Sequence, residues 1–301
     1  MNALINRKTL GFIIPNIVIL PIIGINKLFN ASSGGILVFS EFVILPILIG
    51  IMSAWFWKND KLSGKTLIWN SIINGFIAIL LSFLFLGEGA ICLIIVSPLI
   101  FVFVITGAFI GKMMFKRGNQ RLNVSFVSLL MAIFIVDSVS EHHYENMVSD
   151  EVIIKASPEK IWKNVVAFEK IEQPNHYWLF QIGMPSPIQT TVTDYKNGAG
   201  RKCIFSNGYI FDEKIVQFEI NKNLTFDIVN QPKDPEIMGH IDIDRGQFLL
   251  KDNGNGTTTL IGNSWYKLHV FPIWYYDIWA ESITRNVHLR VMNHIKTLSE
   301  K

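Results

Sequence analysis

Glu151-Val152-Ile153-Ile154-Lys155-Ala156-Ser157-Pro158-Glu159-Lys160-Ile161-Trp162 is a strand followed at once by a helix start. Residues 151–155 are alternating and β-branched, the pattern of a half-buried strand. Ser157 stands at an N-cap and Pro158 at the first helical position, where its missing N–H costs nothing. Lys160 occupies the place a capping box would give to Glu. Ile161, Val165 and Phe168 then recur at helical spacing.

Outward from this opening, the C-terminal side is β-rich. A Pro-broken stretch (Pro174, Pro185, Pro187) leads to strand-like runs at 188–195, 201–205, 209–220, 224–229 and 246–251. Asn197-Gly198 and Asn207-Gly208 are hairpin signals, and Gly254-Asn255-Gly256 is a third turn feeding a long strand at 257–269. After Pro272 one helix runs to about Ser299, with Ile278, Trp279, Ile283, Val287, Val291, Ile295 and Leu298 as its expected apolar stripe. The order is strand, helix, six antiparallel strands and a long final helix. An antiparallel sheet with one apolar face needs cover, and that last helix is the long one available. The expectation is an α+β domain over 147–301 whose curved sheet grips the C-terminal helix around a cavity.

The N-terminal side is different in kind. Half of all residues are hydrophobic and the mean hydropathy is positive. Residues 1–146 hold ten Lys/Arg and six Asp/Glu, against seventeen and eighteen in 147–301. Five apolar runs, at 10–29, 36–57, 67–86, 90–113 and 122–139, approach the roughly 20 residues a spanning helix needs. They predict a membrane domain of about five transmembrane helices over 1–146. Gly87-Glu88-Gly89 would join the third and fourth as a hairpin, and Pro15, Pro21, Pro46 and Pro98 are tolerable inside membrane helices. Arg7 and Lys8 before the first run also suit a signal peptide, but no small-x-small cleavage site follows.

With five spans, Arg7, Lys8, Lys58, Lys61, Lys65, Lys112, Lys116, Arg117 and Arg121 all fall on one side, the cytoplasmic one. The C-terminal domain is then extracytoplasmic, on a chain integral to the inner (cytoplasmic) membrane. Were the short fifth run not to span, it would be cytoplasmic. Glu41, Asn70 and Asn74 are polar groups in or near spans, read as interfacial or as helix–helix hydrogen-bonding groups rather than a transport path. His142-His143-Tyr144-Glu145 reads as a juxtamembrane linker rather than a metal site.

Val152-x-Ile154-x-Ala156-Ser157-Pro158-Glu159-x-Ile161-Trp162 resembles the opening of the SRPBCC superfamily. That is the helix-grip fold of START lipid-transfer domains, the birch-pollen-allergen family and the polyketide cyclase/dehydrase group. Trp279-x-x-x-Ile283 with His288-Leu289-Arg290-Val291-x-x-His294-Ile295-Lys296 is similar to the end of a bacterial branch in which the domain follows several membrane spans. The resemblance covers about 148–301 and implies the fold; it implies no chemistry, since one fold hosts many functions.

Glu281, Arg285 and His288 are spaced i, i+4, i+7 on one helix face. They form either a polar patch at the cavity, with Arg285 for an anionic head group and His288 as acid/base or donor, or a solvated face carrying an ordinary Glu–Arg pair. His294 falls off that face and is expected at the surface. Strand alternation puts Leu260, Gly262, Ser264, Tyr266 and Leu268 on the inner face, Gly262 and Ser264 leaving room between the layers. Tyr266 is a cavity or a core residue. The ligand-binding candidates are Tyr266, Trp279, Ile283, Arg285 and His288. His240-x-Asp242-x-Asp244-Arg245 reads as a solvated loop rather than a metal site, and Cys92 and Cys203 as unpaired thiols outside any metal motif.

No cofactor or metal is implied, no nucleophile motif appears, and the slightly acidic domain offers no nucleic-acid surface. The first functional expectation is a membrane-anchored module that binds a hydrophobic small molecule or lipid. The alternatives are a cyclase- or dehydratase-type enzyme using His288, Arg285 or Tyr266, and a membrane scaffold or sensor. Polar tips in an apolar cavity favour the first, a titratable pair within hydrogen-bond reach the second, and a filled cavity the third.

Overall fold

The computed structural model describes residues 6–30, 43–60, 62–87, 89–115, 128, 130–133, 135, 144–232, 240–270 and 272–301. The chain divides into two compact units, the second comprising 143–268 and 273–301.

In the first unit the helices are α1 (Arg7–Asn30), α2 (Leu45–Trp57), α3 (Gly64–Leu86) and α4 (Ala90–Phe115). Three of them, α1, α3 and α4, are long and apolar enough to cross a membrane; α2 is a shorter apolar helix. Glu41, Glu88, the basic loop at 116–121 and most of the fifth run lie outside the described residues. α2 and α4 meet through small residues. A side chain on Gly50 or Gly107 would collide with the facing helix backbone, and one on Gly111 would lie 2.8 Å from the Ala54 methyl. Close approach through small residues is a packing mode that membrane helices also use. Asn74 is fully buried and ties three helices together. Its Nδ2 donates to Ser53 Oγ at 2.6 Å and to Gly11 O at 3.2 Å, and its Oδ1 accepts from Asn16. That is the helix–helix role expected of it.

The second unit is one seven-stranded antiparallel sheet with a long helix. Its strands are β1 (Tyr144–Ile154), β2 (Pro187–Val192), β3 (Gly200–Phe205), β4 (Ile210–Glu219), β5 (Asn223–Asn230), β6 (Ile241–Asp252) and β7 (Thr258–Leu268). Its helices are α5 (Pro158–Val166), the short α6 (Trp178–Gln181) and α7 (Ile273–Ser299). The spatial order is β1-β7-β6-β5-β4-β3-β2, a meander from β2 to β7 onto which β1 adds. Gly198 and Gly208 turn the hairpins with φ of 83° and 86°, a region open to glycine. Register shifts in β2, β4 and β6 are bulges, which bend strands and curl the sheet. The architecture is the helix grip.

β1 begins earlier than its β-branched core suggests. Tyr144 pairs with Leu268 and Glu145 with Lys267, so these two residues are strand rather than linker; His142 and His143 lie outside the described residues. Asp242 and Asp244 likewise belong to β6 rather than a loop. α7 follows Pro272 as expected, but its inward face is displaced from the expected stripe. Tyr276, Ala280, Thr284, His288, Val291, Met292, Ile295 and Ser299 are buried, whereas Ile278 is 64% exposed. Trp279, Ile283 and Val287 are half-buried. A stripe drawn by hydrophobicity alone passes over Thr284 and His288, which are polar and belong to the true inner face.

Candidate functional site

The inner face of β7 changes chemistry halfway along. Thr258, Leu260 and Gly262 lie toward its start, Ser264 and Tyr266 beyond them. On the neighbouring β1, Ile154 and Val152 face Thr258 and Leu260, Asp150 faces Gly262, and Asn146 faces Tyr266. α7 crosses both halves.

In the apolar half, Met292 fills the space over Gly262: a methyl built there would lie 2.9 Å from its Sδ. Ile154, Leu260, Phe248, Leu250, Val291, Ile295, Trp162 and Phe226 pack in the same buried cluster. The room expected beside Gly262 and Ser264 is therefore occupied, at Gly262 by the helix thioether and at Ser264 by an imidazole.

In the polar half, Ser264 Oγ lies 2.7 Å from His288 Nε2, and His288 Nδ1 lies 2.9 Å from Asp150 Oδ2. The other Asp150 oxygen takes Arg285 Nη1 at 2.8 Å, and Arg285 Nη2 reaches Glu281 Oε1 at 2.9 Å. A carboxylate only accepts, so it holds the proton on Nδ1 and leaves the Nε2 lone pair for the Ser264 hydroxyl, which donates. Asp150 and His288 are 6% and 5% exposed. Burial holds the His288 pKa below the ordinary imidazole value, aided by the Arg285 charge and opposed by Asp150. On the same side of the grip, Tyr266 donates to Asp277 Oδ1 at 2.7 Å, and Asn146 Nδ2 donates to Asp277 at 2.9 and 3.2 Å and to the Tyr266 oxygen at 3.2 Å. Burial, then the bond to Asp277, raises the Tyr266 pKa.

The sequence candidates thus separate. Tyr266 and His288 lie in the buried row. Arg285 is half exposed and already bound by two carboxylates, so its charge is engaged inside the protein. Trp279 and Ile283 lie on the flank; Trp279 stacks edge-on with Trp178 and tilts against Tyr275, while Tyr177 bonds Ser282 at 3.1 Å. Trp178 and Ile182 are exposed in and beside α6, and Trp274 and Ile278 are 66% and 64% exposed on α7. His294 is buried, not a surface residue: its ring nitrogens sit 3.1 Å from Gln173 Oε1 and 3.1 Å from Glu169 O.

Four polar residues of this row carry no functional signal in the sequence. Asp150, Asn146 and Asp277 become partners only by strand pairing and helix docking, and Ser264 reads there as no more than a spacer. Arg201 and Glu213 form a buried cross-strand ion pair; Arg201 Nε also donates to Val166 O at 3.1 Å, and its guanidinium lies 4.4 Å over Phe226. Burial raises the Glu213 pKa against the pull of Arg201. No short-range signal marks any of these, since their partners lie far off in sequence.

No family model matches the chain, and no curated protein does. Among solved structures, norcoclaurine synthase from Thalictrum flavum aligns at 12% identity over 53% of this chain and 96% of its own, with a TM-score of 0.37. An uncharacterised protein of Bacillus thuringiensis aligns at 13% over 52% and 100%, TM-score 0.35. A protein of Mesorhizobium loti aligns at 16% over 51% and 96%, TM-score 0.33. Scores this low decide neither fold nor function.

Proposed function

We propose that the chain is a membrane-anchored module of SRPBCC type whose C-terminal domain binds a hydrophobic small molecule or lipid beside α7. The observation that carries this reading is the edge-on contact of exposed Trp178 with Trp279 of α7, with Ile182 exposed beside α6 and Trp274 and Ile278 exposed on α7. Exposed large apolar side chains that meet across two elements mark interaction surfaces. Aromatic rings supply apolar area with a polar edge, the combination that pockets for such ligands use. Tyr266 and His288, buried deeper, would meet the polar end of the ligand. The apolar packing around Met292 confines the ligand to the half of the grip nearer the start of α7.

The test is dye or lipid binding by the full chain in detergent. Trp279→Ala weakens binding, whereas Lys267→Ala, on the outer face and paired with Glu145 and Asp244, does not. Equal effects, or no saturable binding across a lipid panel, would overturn the reading and favour a scaffold. The same reading takes 1–146 as about five spans, with the C-terminal domain outside the cytoplasm. A C-terminal GFP fusion that fluoresces, with a matching alkaline phosphatase fusion that is inactive, would reverse that orientation.

A further inference from the structure

Ser264, His288 and Asp150 stand in the order and at the distances of a nucleophile, its base and the carboxylate that orients the base. We propose that this row is an acyl-transfer site: Ser264 is a nucleophile toward esters, His288 its general base and acid, and Asp150 a positioning residue. The substrate class, an ester of an apolar acyl chain, rests on the binding reading above; the nucleophile assignment does not.

Three observations converge. Nε2 of His288 faces the hydroxyl, because Nδ1 is committed to Asp150. The imidazole is buried and its pKa held low, so it stands neutral, as a base must. Ser264 is only half-buried as a residue, while His288 and Asp150 behind it are buried. Arg285 adds a second anchor to Asp150 and fixes the carboxylate that fixes the ring.

In the reaction, Ser264 Oγ forms a bond to the ester carbonyl carbon and its proton passes to His288 Nε2. The carbonyl carbon–oxygen bond to the alcohol breaks, and His288 returns the proton to the departing alkoxide. Water then attacks the acyl-serine, gives a proton to His288, and the acid leaves as Ser264 regains its hydrogen. Ser264 lies mid-strand between β1 and β6, where backbone N–H groups serve the ladder. An oxyanion hole must therefore come from side chains, and turnover on activated esters is expected to be slow.

The experiment uses the full chain in detergent with a short-alkyl fluorophosphonate, and mass spectrometry to locate the adduct. Phosphonylation is expected on Ser264, absent in Ser264→Ala and slowed about 100-fold in His288→Gln. Ser149→Ala, exposed on the outer face of β1, labels as the unaltered chain does. Asp150→Asn slows labelling and shifts its pH profile, which a merely structural carboxylate would not do. No adduct on Ser264 in folded protein, or labelling indifferent to His288→Gln, overturns the proposal. Ser264→Ala that still binds dye while losing the label separates this proposal from the binding reading; loss of dye binding by the unaltered chain, with labelling kept, removes only the apolar substrate class.

Discussion

One helix and one strand carry two different interfaces in this domain. Where the C-terminal half of α7 crosses β7, a thioether drops over a glycine and aliphatic side chains surround it. From one turn earlier on the helix and on toward its start, a buried imidazole and carboxylates bond to hydroxyls of the same strand. The first is a close-packed core, favoured because apolar surface leaves water. The second buries polar groups, which costs free energy unless every partner is supplied. A row of satisfied polar groups is retained at no stability advantage over an apolar one, and this contrast points to the stretch of α7 from Asp277 to His288 as the working part of the fold.

The contrast can be broken most directly from the packed side. Met292→Ala removes the side chain over Gly262 and is expected to lower stability by about 2–5 kcal/mol, read as a denaturation midpoint, while leaving Ser264 labelling intact. If labelling fell in step with stability, the two halves would not be independent.

The polar side is expected to lose less. Tyr266→Phe deletes the bond to the Asp277 carboxylate, while Asn146 still serves that carboxylate. The expected cost is about 1.5–3 kcal/mol, with a matching drop in melting temperature. The same cluster bears on where the domain starts. We propose that the domain folds alone, and that a truncated chain starting at residue 143 melts higher than one starting at 147, which lacks Asn146 and the two residues before it in β1. Equal melting temperatures would show that the Asn146 bonds contribute nothing.

A smaller effect is expected from acid. His288 and His294 both have pKa values held below the ordinary imidazole value, in each case by burial first. The unfolded chain takes up these protons at about pH 6.5, while the folded chain resists until lower pH. Their contribution to stability is therefore complete above that value and is lost as pH falls below it. Melting temperature should drop on acidification, and His288→Gln should flatten its own part of the slope. A melting temperature that rose toward lower pH would contradict the buried, neutral assignment.

Much of the fold is written in local patterns. The Ser157-Pro158 helix start, the Asn-Gly turns, the period-two runs and the apolar length of α7 each depend on neighbours in sequence, and the seven strands stand close to where those patterns put them. The ends that differ do so for long-range reasons: Tyr144 and Glu145 are strand because Leu268 and Lys267 pair with them. The stripe on α7 differs for the same kind of reason. Hydrophobicity points to Ile278, but burial on this helix follows what β1 and β7 offer opposite, including Asp150 for His288 and Tyr266 for Asp277.

By itself, then, the sequence determined the two-part character of the chain, the antiparallel sheet with its closing helix, and Tyr266 and His288 as polar candidates. Charge density, residue period and turn chemistry are short-range properties, legible along the chain. Only the tertiary structure decided that Ser264 and Asp150 flank His288 from 24 and 138 positions away, that Arg285 is held by carboxylates, and that Arg201 meets Glu213 inside the sheet. Strand register and helix docking bring such groups together, and both are set by the packing of the whole sheet rather than by any segment of it.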